Sequence, residues 1–140
     1  MKYKERAASH DDFEFLFELK KAAEYDAVVR VFGWDETTQR QLHEQEWNEA
    51  KPTIIELDGK RIGSYLFEVQ PDGYYFGRFF LLPDYQGMGI GSAVMKACIA
   101  RSRSKTIHLC YLKGNQVHSL YERFGFTVVN QDEHFVYMRN

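Results

Sequence analysis

Phe79-Phe80-Leu81-Leu82-Pro83-Asp84-Tyr85-Gln86-Gly87-Met88-Gly89-Ile90-Gly91-Ser92 reads as an apolar strand, a short turn and a glycine-rich entry into a helix. Gly87, Gly89 and Gly91 fall at alternate positions and carry no Cβ to hold a ligand off the backbone. Amides at a helix start have no partner within the helix and sit at the positive end of its dipole. The stretch therefore predicts an anion cradle suited to a phosphate or pyrophosphate.

Two rival loops fail on their own requirements. A Walker loop needs Lys and then Ser/Thr after its last glycine, where this chain has Ser92-Ala93. A dinucleotide-binding unit needs an acidic residue ~20 positions further on, and Ile107-His108-Leu109-Cys110 contains none. A loop that needs glycines only to turn sharply stays open on these residues alone.

The spacing Gln86-x-x-Gly89-x-Gly91, entered through Leu81-Leu82-Pro83-Asp84-Tyr85, resembles the coenzyme-A loop of the GNAT superfamily of N-acyltransferases. A second match is Asn115-x-x-x-Ser119-x-Tyr121-x-x-x-Gly125-Phe126. The two motifs cover residues 79 to 126, and the order of elements fits nearly the whole chain. The resemblance implies one acyl-coenzyme-A N-acyltransferase domain over residues 1–140, of α/β class. It implies a mixed, mostly antiparallel sheet with helices on both faces and splayed parallel central strands. Acetyl-CoA would be the acyl donor co-substrate, with its pyrophosphate on the amides of Gln86, Gly87, Met88, Gly89, Ile90, Gly91 and Ser92. Its pantetheine would run along Leu81 and Leu82, whose backbone can pair with it like an added strand.

Tyr121 matches the tyrosine that in this family often protonates the departing thiolate. Asn115 would contact pantetheine or order water, and Ser119 would lie near the thiol end. Periodicity alone makes Tyr121 a core residue, Asn115 a helix cap and Ser119 an ordinary helix position. The family's frequent base, a glutamate on the strand before the loop, has no counterpart: Tyr74 to Leu82 carries no carboxylate. A water relay to Glu68, Asp35 or Glu36, or an amine that arrives neutral, would have to serve.

With 140 residues and 16% aromatic content the chain can bury a proper core. The opening Met1-Lys2-Tyr3-Lys4-Glu5-Arg6 lacks the apolar run of a signal peptide, and no apolar run approaches the ~18 residues of a membrane span. Cys98 and Cys110 are too few for a disulfide scaffold and suit a reducing compartment. A cytoplasmic protein with no membrane partner is expected. The net charge of -2 argues against nucleic acid. Residues 1–50 hold seven Lys/Arg against twelve Asp/Glu, a net of -5, which favours a cationic partner. Residues 84–114 hold Lys96, Arg101, Arg103, Lys105 and Lys113 against Asp84 alone, a net of +4 that suits a polyanionic cofactor.

Tyr3 to Ala7 reads as a strand, and Ser9-x-x-Asp12 as a capping pattern opening a helix through about Asp26. Phe15, Leu16, Leu19, Ala22 and Ala23 share its inner stripe. Val28 to Trp34 reads as a connection, after which Asp35 caps a polar helix to about Glu49. So polar a helix lies on the surface or over a cleft. Trp34, Asp35, Glu36 and Trp47 are candidates to line an acceptor pocket, unless the tryptophans only anchor that helix. An antiparallel meander follows through Asp58-Gly59 and Pro71-Asp72-Gly73. Within it Arg78 would bind a substrate carboxylate or form a structural ion pair. The helix after Gly89 runs to about Arg103 with Ile90, Val94, Ala97 and Cys98 inward. Thr106 to Leu112 is a strand parallel to the preceding one, Asn115 opens a last helix ended by Gly125, and two strands close the chain.

His108, Cys110 and His118 make no metal site, because a structural zinc centre takes four ligands. The expected activity is N-acetyl transfer from acetyl-CoA to a primary amine of a small, cationic molecule, by direct attack through a tetrahedral intermediate. A non-catalytic acyl-CoA-binding module and a protein N-terminal or lysine acetyltransferase are the alternatives, and a homodimer is left open.

Overall fold

The computed structural model describes residues 2–140. Strand β1 (Lys4–Ala7) leads through a single 3-10 turn at His10–Asp12 into helix α1 (Phe13–Val31). Helix α2 (Glu36–Glu49) follows, then the meander β2 (Thr53–Leu57), β3 (Lys60–Gln70) and β4 (Gly73–Leu81). Another 3-10 turn at Pro83–Tyr85 enters α3 (Ile90–Ser102). The chain closes with β5 (Ile107–Leu112), α4 (His118–Arg123), β6 (Thr127–Gln131) and β7 (Phe135–Arg139).

The seven strands form one sheet in the order β1-β2-β3-β4-β5-β7-β6. Every neighbouring pair is antiparallel except β4 and β5. The β2–β3 hairpin turns on Asp58 (φ 52°) and Gly59 (φ 77°), both left-handed as a two-residue primed turn requires. β4 and β5 pair only over Tyr74–Phe76 and Ile107–Leu109. Beyond that the two strands part, and the far half of β4 presents an unpaired edge.

A bulge shapes that same half of β4. Ser64 pairs with Phe80 and Leu66 with Gly77, so Arg78 and Phe79 together oppose the single residue Tyr65. Arg78 takes φ 47°, and the extra residue swings the end of β4 away from β5.

Alternation along the strands divides the core between the two faces. On one, Ile55, Ile62, Tyr65 and Phe76 pack against Ile90, Val94, Met95 and Cys98 of α3 and Tyr121 of α4. On the other, Ile54 packs against Leu16 and Leu19 of α1. Helix α2 rides on α1, with His43 buried between Phe13 and Phe17 and its Nε2 2.8 Å from the Phe13 carbonyl.

Four boundaries or faces differ from expectation. α1 runs to Val31 rather than Asp26, because Ala27 and Val28 continue its buried stripe against Leu112. Ala22 is exposed. In α3 the inward residue is Met95 while Ala97 faces solvent. α4 begins at His118 rather than Asn115, since Gly114 (φ 94°) and Asn115 form a turn in which the Asn115 N–H donates to Leu112 O at 3.0 Å.

Candidate active site

The glycine loop has the form of an amide cradle. Gly87 (φ 75°) and Gly89 (φ 86°) are left-handed, a conformation that only glycine adopts without strain. A Cβ at either would meet nothing within 4 Å, so both face open space. Gly91 serves packing instead, since a Cβ there would come within 3.2 Å of Leu120 and 3.4 Å of Phe79. The first α3 amide to find a carbonyl is Ala93, which donates to Gly89 O at 3.1 Å. The amides from Gly87 to Ser92 therefore have no acceptor among the described residues.

Gln86 does not extend the cradle as expected. Its N–H donates to Pro83 O at 3.2 Å and its side-chain amide to Leu81 O at 3.0 Å, so it braces the loop against β4. The Ile90 side chain is core and the Met88 side chain is exposed.

Beside the cradle opens a cleft of about 610 Å³, lined among others by Leu81, Gly87, Gly89, Gly91, Ser92 and Ser119. Its cations are Arg30 of α1 and Arg123 of α4, with Asp26 the single acid. None of Lys96, Arg101, Arg103, Lys105 and Lys113 lines it. Leu82 does not line it either. Its N–H donates to Ile62 O at 2.8 Å, and its side chain packs on the α1 face. That bond makes Leu81–Gly63 a non-hydrogen-bonded pair, which turns the Leu81 N–H towards the splay.

A second cavity, of about 890 Å³, lies on the other side of the splay and shares Phe79, Phe80 and Asn115 with the first. Tyr121 lines it, 4% exposed, with the rings of Tyr111, Phe126 and Phe76 at 5.9, 6.1 and 6.2 Å. No protein group hydrogen-bonds the Tyr121 hydroxyl among the described residues. Burial, with Tyr75 and Glu24 nearby, raises its pKa well above an ordinary phenol and keeps it protonated. Tyr75 and Cys110 also line this cavity, their hydroxyl and sulfur 3.5 Å apart.

Glu24 is the residue that sequence reasoning missed. It sits mid-helix on α1, and Asn115 Nδ2 donates to its Oε2 at 2.9 Å across a separation of 91 residues. Burial raises its pKa, opposed by the Asn115 hydrogen bond and by Lys20. No local pattern announces such a pairing. The nearest signal is that the Ala22-Ala23-Glu24 stretch leaves room beside the helix for a carboxylate to turn inward.

The second cavity is acidic. Glu24, Asp35, Glu46, Glu49 and Glu68 line it against Lys20 and Arg78. Lys20 lies 3.6 Å from Glu46, and Arg78 lies 3.5 and 3.6 Å from Glu46 and Glu49. Arg78 also donates to the carbonyls of Glu46 and Ala50, both at 2.9 Å, and so closes the end of α2. With these partners Arg78 forms the structural ion pair. Asp35 lines the cavity while its carboxylate accepts from Thr38 N as the α2 cap. Trp34 and Glu36 stand outside it. Trp34 Nε1 donates to Glu36 at 2.9 Å, and Lys21 holds the same carboxylate at 3.1 Å.

No cluster of three His, Cys, Asp or Glu side chains is arranged to hold a metal among the described residues, and no helix there is long and apolar enough to cross a membrane.

Comparison with known proteins adds a family. The model of the Acetyltransferase (GNAT) family matches residues 13–126. Comparison with curated protein sequences found no match. Among solved structures, the chain superposes on the paia N-acetyltransferase of Thermoplasma acidophilum in complex with coenzyme A, with a TM-score of 0.76, 18% identity, and coverage of 100% of this chain and 99% of that one. An acetyltransferase from Thermus thermophilus gives a TM-score of 0.78 at 11% identity, covering 100% and 97%. The ribosomal-protein-S18-alanine N-acetyltransferase of Escherichia coli gives 0.70 at 19% identity, covering 99% and 92%.

Proposed function

From the chain's membership of the GNAT acetyltransferase family, whose acyl donor is acetyl-CoA, we propose that it moves the acetyl group to the primary amine of a small cationic molecule. The observation that carries this reading is the meeting of two unlike cavities at the splay of β4 and β5. One has the free amides of a phosphate site. The other has carboxylates and a protonated tyrosine.

On this reading the amides of Gly87 to Ser92 bind the pyrophosphate, helped by the α3 dipole and by Arg30 and Arg123. The free edge of β4, Leu81 N–H included, pairs with pantetheine and faces the oxyanion that forms as the amine adds to the thioester carbonyl. Asn115 stands where the two cavities join and holds Glu24. Ser119 lies along the cofactor cleft. Tyr121 gives its proton to the sulfur, because a neutral thiol leaves more readily than a thiolate. Its raised pKa suits it to deliver a proton and not to lose one beforehand.

The acids of the second cavity support a cationic acceptor. With Lys20 and Arg78 already paired, Glu24, Asp35 and Glu68 are left to attract an ammonium group. A panel of amines assayed for thiol release from acetyl-CoA tests this. Cationic primary amines are expected to turn over, with one acetylated amine per thiol. Thiol release that is indifferent to amine would contradict it.

A further inference from the structure

Acetylation of an ammonium group, R–NH3⁺ plus acetyl-CoA giving R–NH–acetyl, CoA–SH and H⁺, frees one proton per turnover. β4 carries no carboxylate to take it. Glu24 can attract the ammonium group, but a proton left there remains inside the cavity.

Tyr111 of β5 also lines the acceptor cavity, its ring 5.9 Å from that of Tyr121. Its hydroxyl lies 2.5 Å from Nδ1 of His118, the first residue of α4. His118 Nε2 in turn lies 3.4 Å from Glu122, one turn along the helix. The His118 side chain is 44% exposed and that of Glu122 71%, so this row of groups begins in the cavity and ends in solvent. A carboxylate opposite Nε2 favours the tautomer with its proton there, which leaves Nδ1 to accept from the Tyr111 hydroxyl.

We propose that Tyr111, His118 and Glu122 form the outlet by which the acceptor amine loses its proton to solvent. The inference rests on the acetyl-transfer reading above. An N–H bond of the ammonium breaks and its proton passes to Tyr111 Oη as the tyrosine's own proton moves to His118 Nδ1. The imidazolium, facing Glu122, then releases its Nε2 proton to water. Proton exchange with solvent, to which the side chain is 44% exposed, returns the neutral ring to the tautomer with its proton on Nε2. The nitrogen lone pair attacks the thioester carbonyl, and the C–S bond breaks as sulfur takes the Tyr121 proton. The second amine proton restores Tyr121. One proton reaches solvent, and no oxidant or reductant is required.

Tyr111 never has to become a free phenolate in this sequence, because it accepts one proton as it gives another. That agrees with its surroundings, since burial and the Glu122 carboxylate both raise its pKa. The titratable groups against it are His118 at its hydroxyl, Tyr121 at its ring and Glu122, all from α4. β7 meets it through Val136, which carries none.

The test compares wild type, His118→Ala and Tyr111→Phe near pH 7 with a strongly basic amine. Both variants are expected to lose on the order of 10²-fold in kcat while keeping the KM for acetyl-CoA. Added imidazole should restore His118→Ala by about 10-fold, since the site opens to solvent, and should do nothing for Tyr111→Phe, whose missing atom lies between cavity and imidazole. A weakly basic amine that arrives neutral should be acetylated at similar rates by all three proteins. An active wild type alongside His118→Ala at full rate overturns the outlet, as does a loss that imidazole fails to restore. A wild type that acetylates no amine overturns the transfer reading, and the outlet with it.

Discussion

On the proposed reading Tyr121 gives its proton to the sulfur and Glu24 attracts the amine, and both environments push the side chain's pKa upward. Burial comes first among the causes that raise both pKa values, and it keeps the Tyr121 phenol protonated. Tyr121→Phe keeps the ring among Phe76, Tyr111 and Phe126 and removes a hydroxyl that bonds to no protein group. Little change in stability is expected, with a fall on the order of 10²–10⁴-fold in the chemical step. Pre-steady-state thiol release measures it directly, and acetyl-CoA affinity should be unchanged. Glu24→Gln should raise the KM for a cationic amine and spare that for acetyl-CoA. Stability gives an independent readout with a definite sign. A carboxyl whose folded pKa is raised binds more protons folded than unfolded between its two pKa values, so it loses stability as pH rises through them. Glu24→Gln is therefore expected to melt higher than wild type at pH 7, with the gap closing under acid.

At the scale of elements, the turns were legible and the helix starts only partly so. Asp58-Gly59, Pro71-Asp72 and the glycine loop each carry local backbone chemistry, and the strands they join form where their residues predict. Asn115 looks like a cap because Asn is a common cap residue. Its side chain is spent on Glu24, and a contact 91 residues distant leaves no trace in local spacing. Arg78 was ambiguous for the same reason, since its partners lie on α2. The cradle itself is an element-scale prediction. Gly89→Val would place a β-branched side chain at φ 86° and aim it into open cleft. Calorimetry should find acetyl-CoA binding weakened by at least about 10-fold, which corresponds to ~1.4 kcal/mol. The start of α1 carries another. Asp12 is buried, accepts from the Ser9 N–H at 2.8 Å, and joins Arg6 of β1 to Arg61 of β3. The Arg6 hydrogen bonds come first among the causes that hold its pKa well below the usual carboxylate range. Asp12→Asn should cost about 2 kcal/mol at pH 7 in denaturant unfolding. Because the folded pKa is depressed, that contribution is complete above the ordinary carboxylate pKa and fades as pH falls below it.

Over the whole molecule, two departures from regular pairing organise the site. The bulge at Arg78 and Phe79 and the early end of β4–β5 pairing open the sheet, and the two cavities meet where it opens. The shape of the glycine loop could be read from sequence because glycine spacing records backbone geometry directly. The second cavity could not, because its wall is assembled from α1, α2, β3, β4, β5, α4 and β7. Charge counted along the chain was a partial guide. The acidic first third does supply Glu24, Asp35, Glu46 and Glu49 to the cavity, while Trp34 and Glu36 turn to each other outside it. The most direct measurement of acetyl transfer to a cationic amine is product analysis by mass spectrometry after incubation with acetyl-CoA and matched cationic, neutral and anionic primary amines. The predicted result is N-acetylated cationic amine in one-to-one ratio with free coenzyme A, rising with pH above neutrality. Acetylation confined to anionic or neutral amines, or coenzyme A released without any acetylated amine, would contradict it.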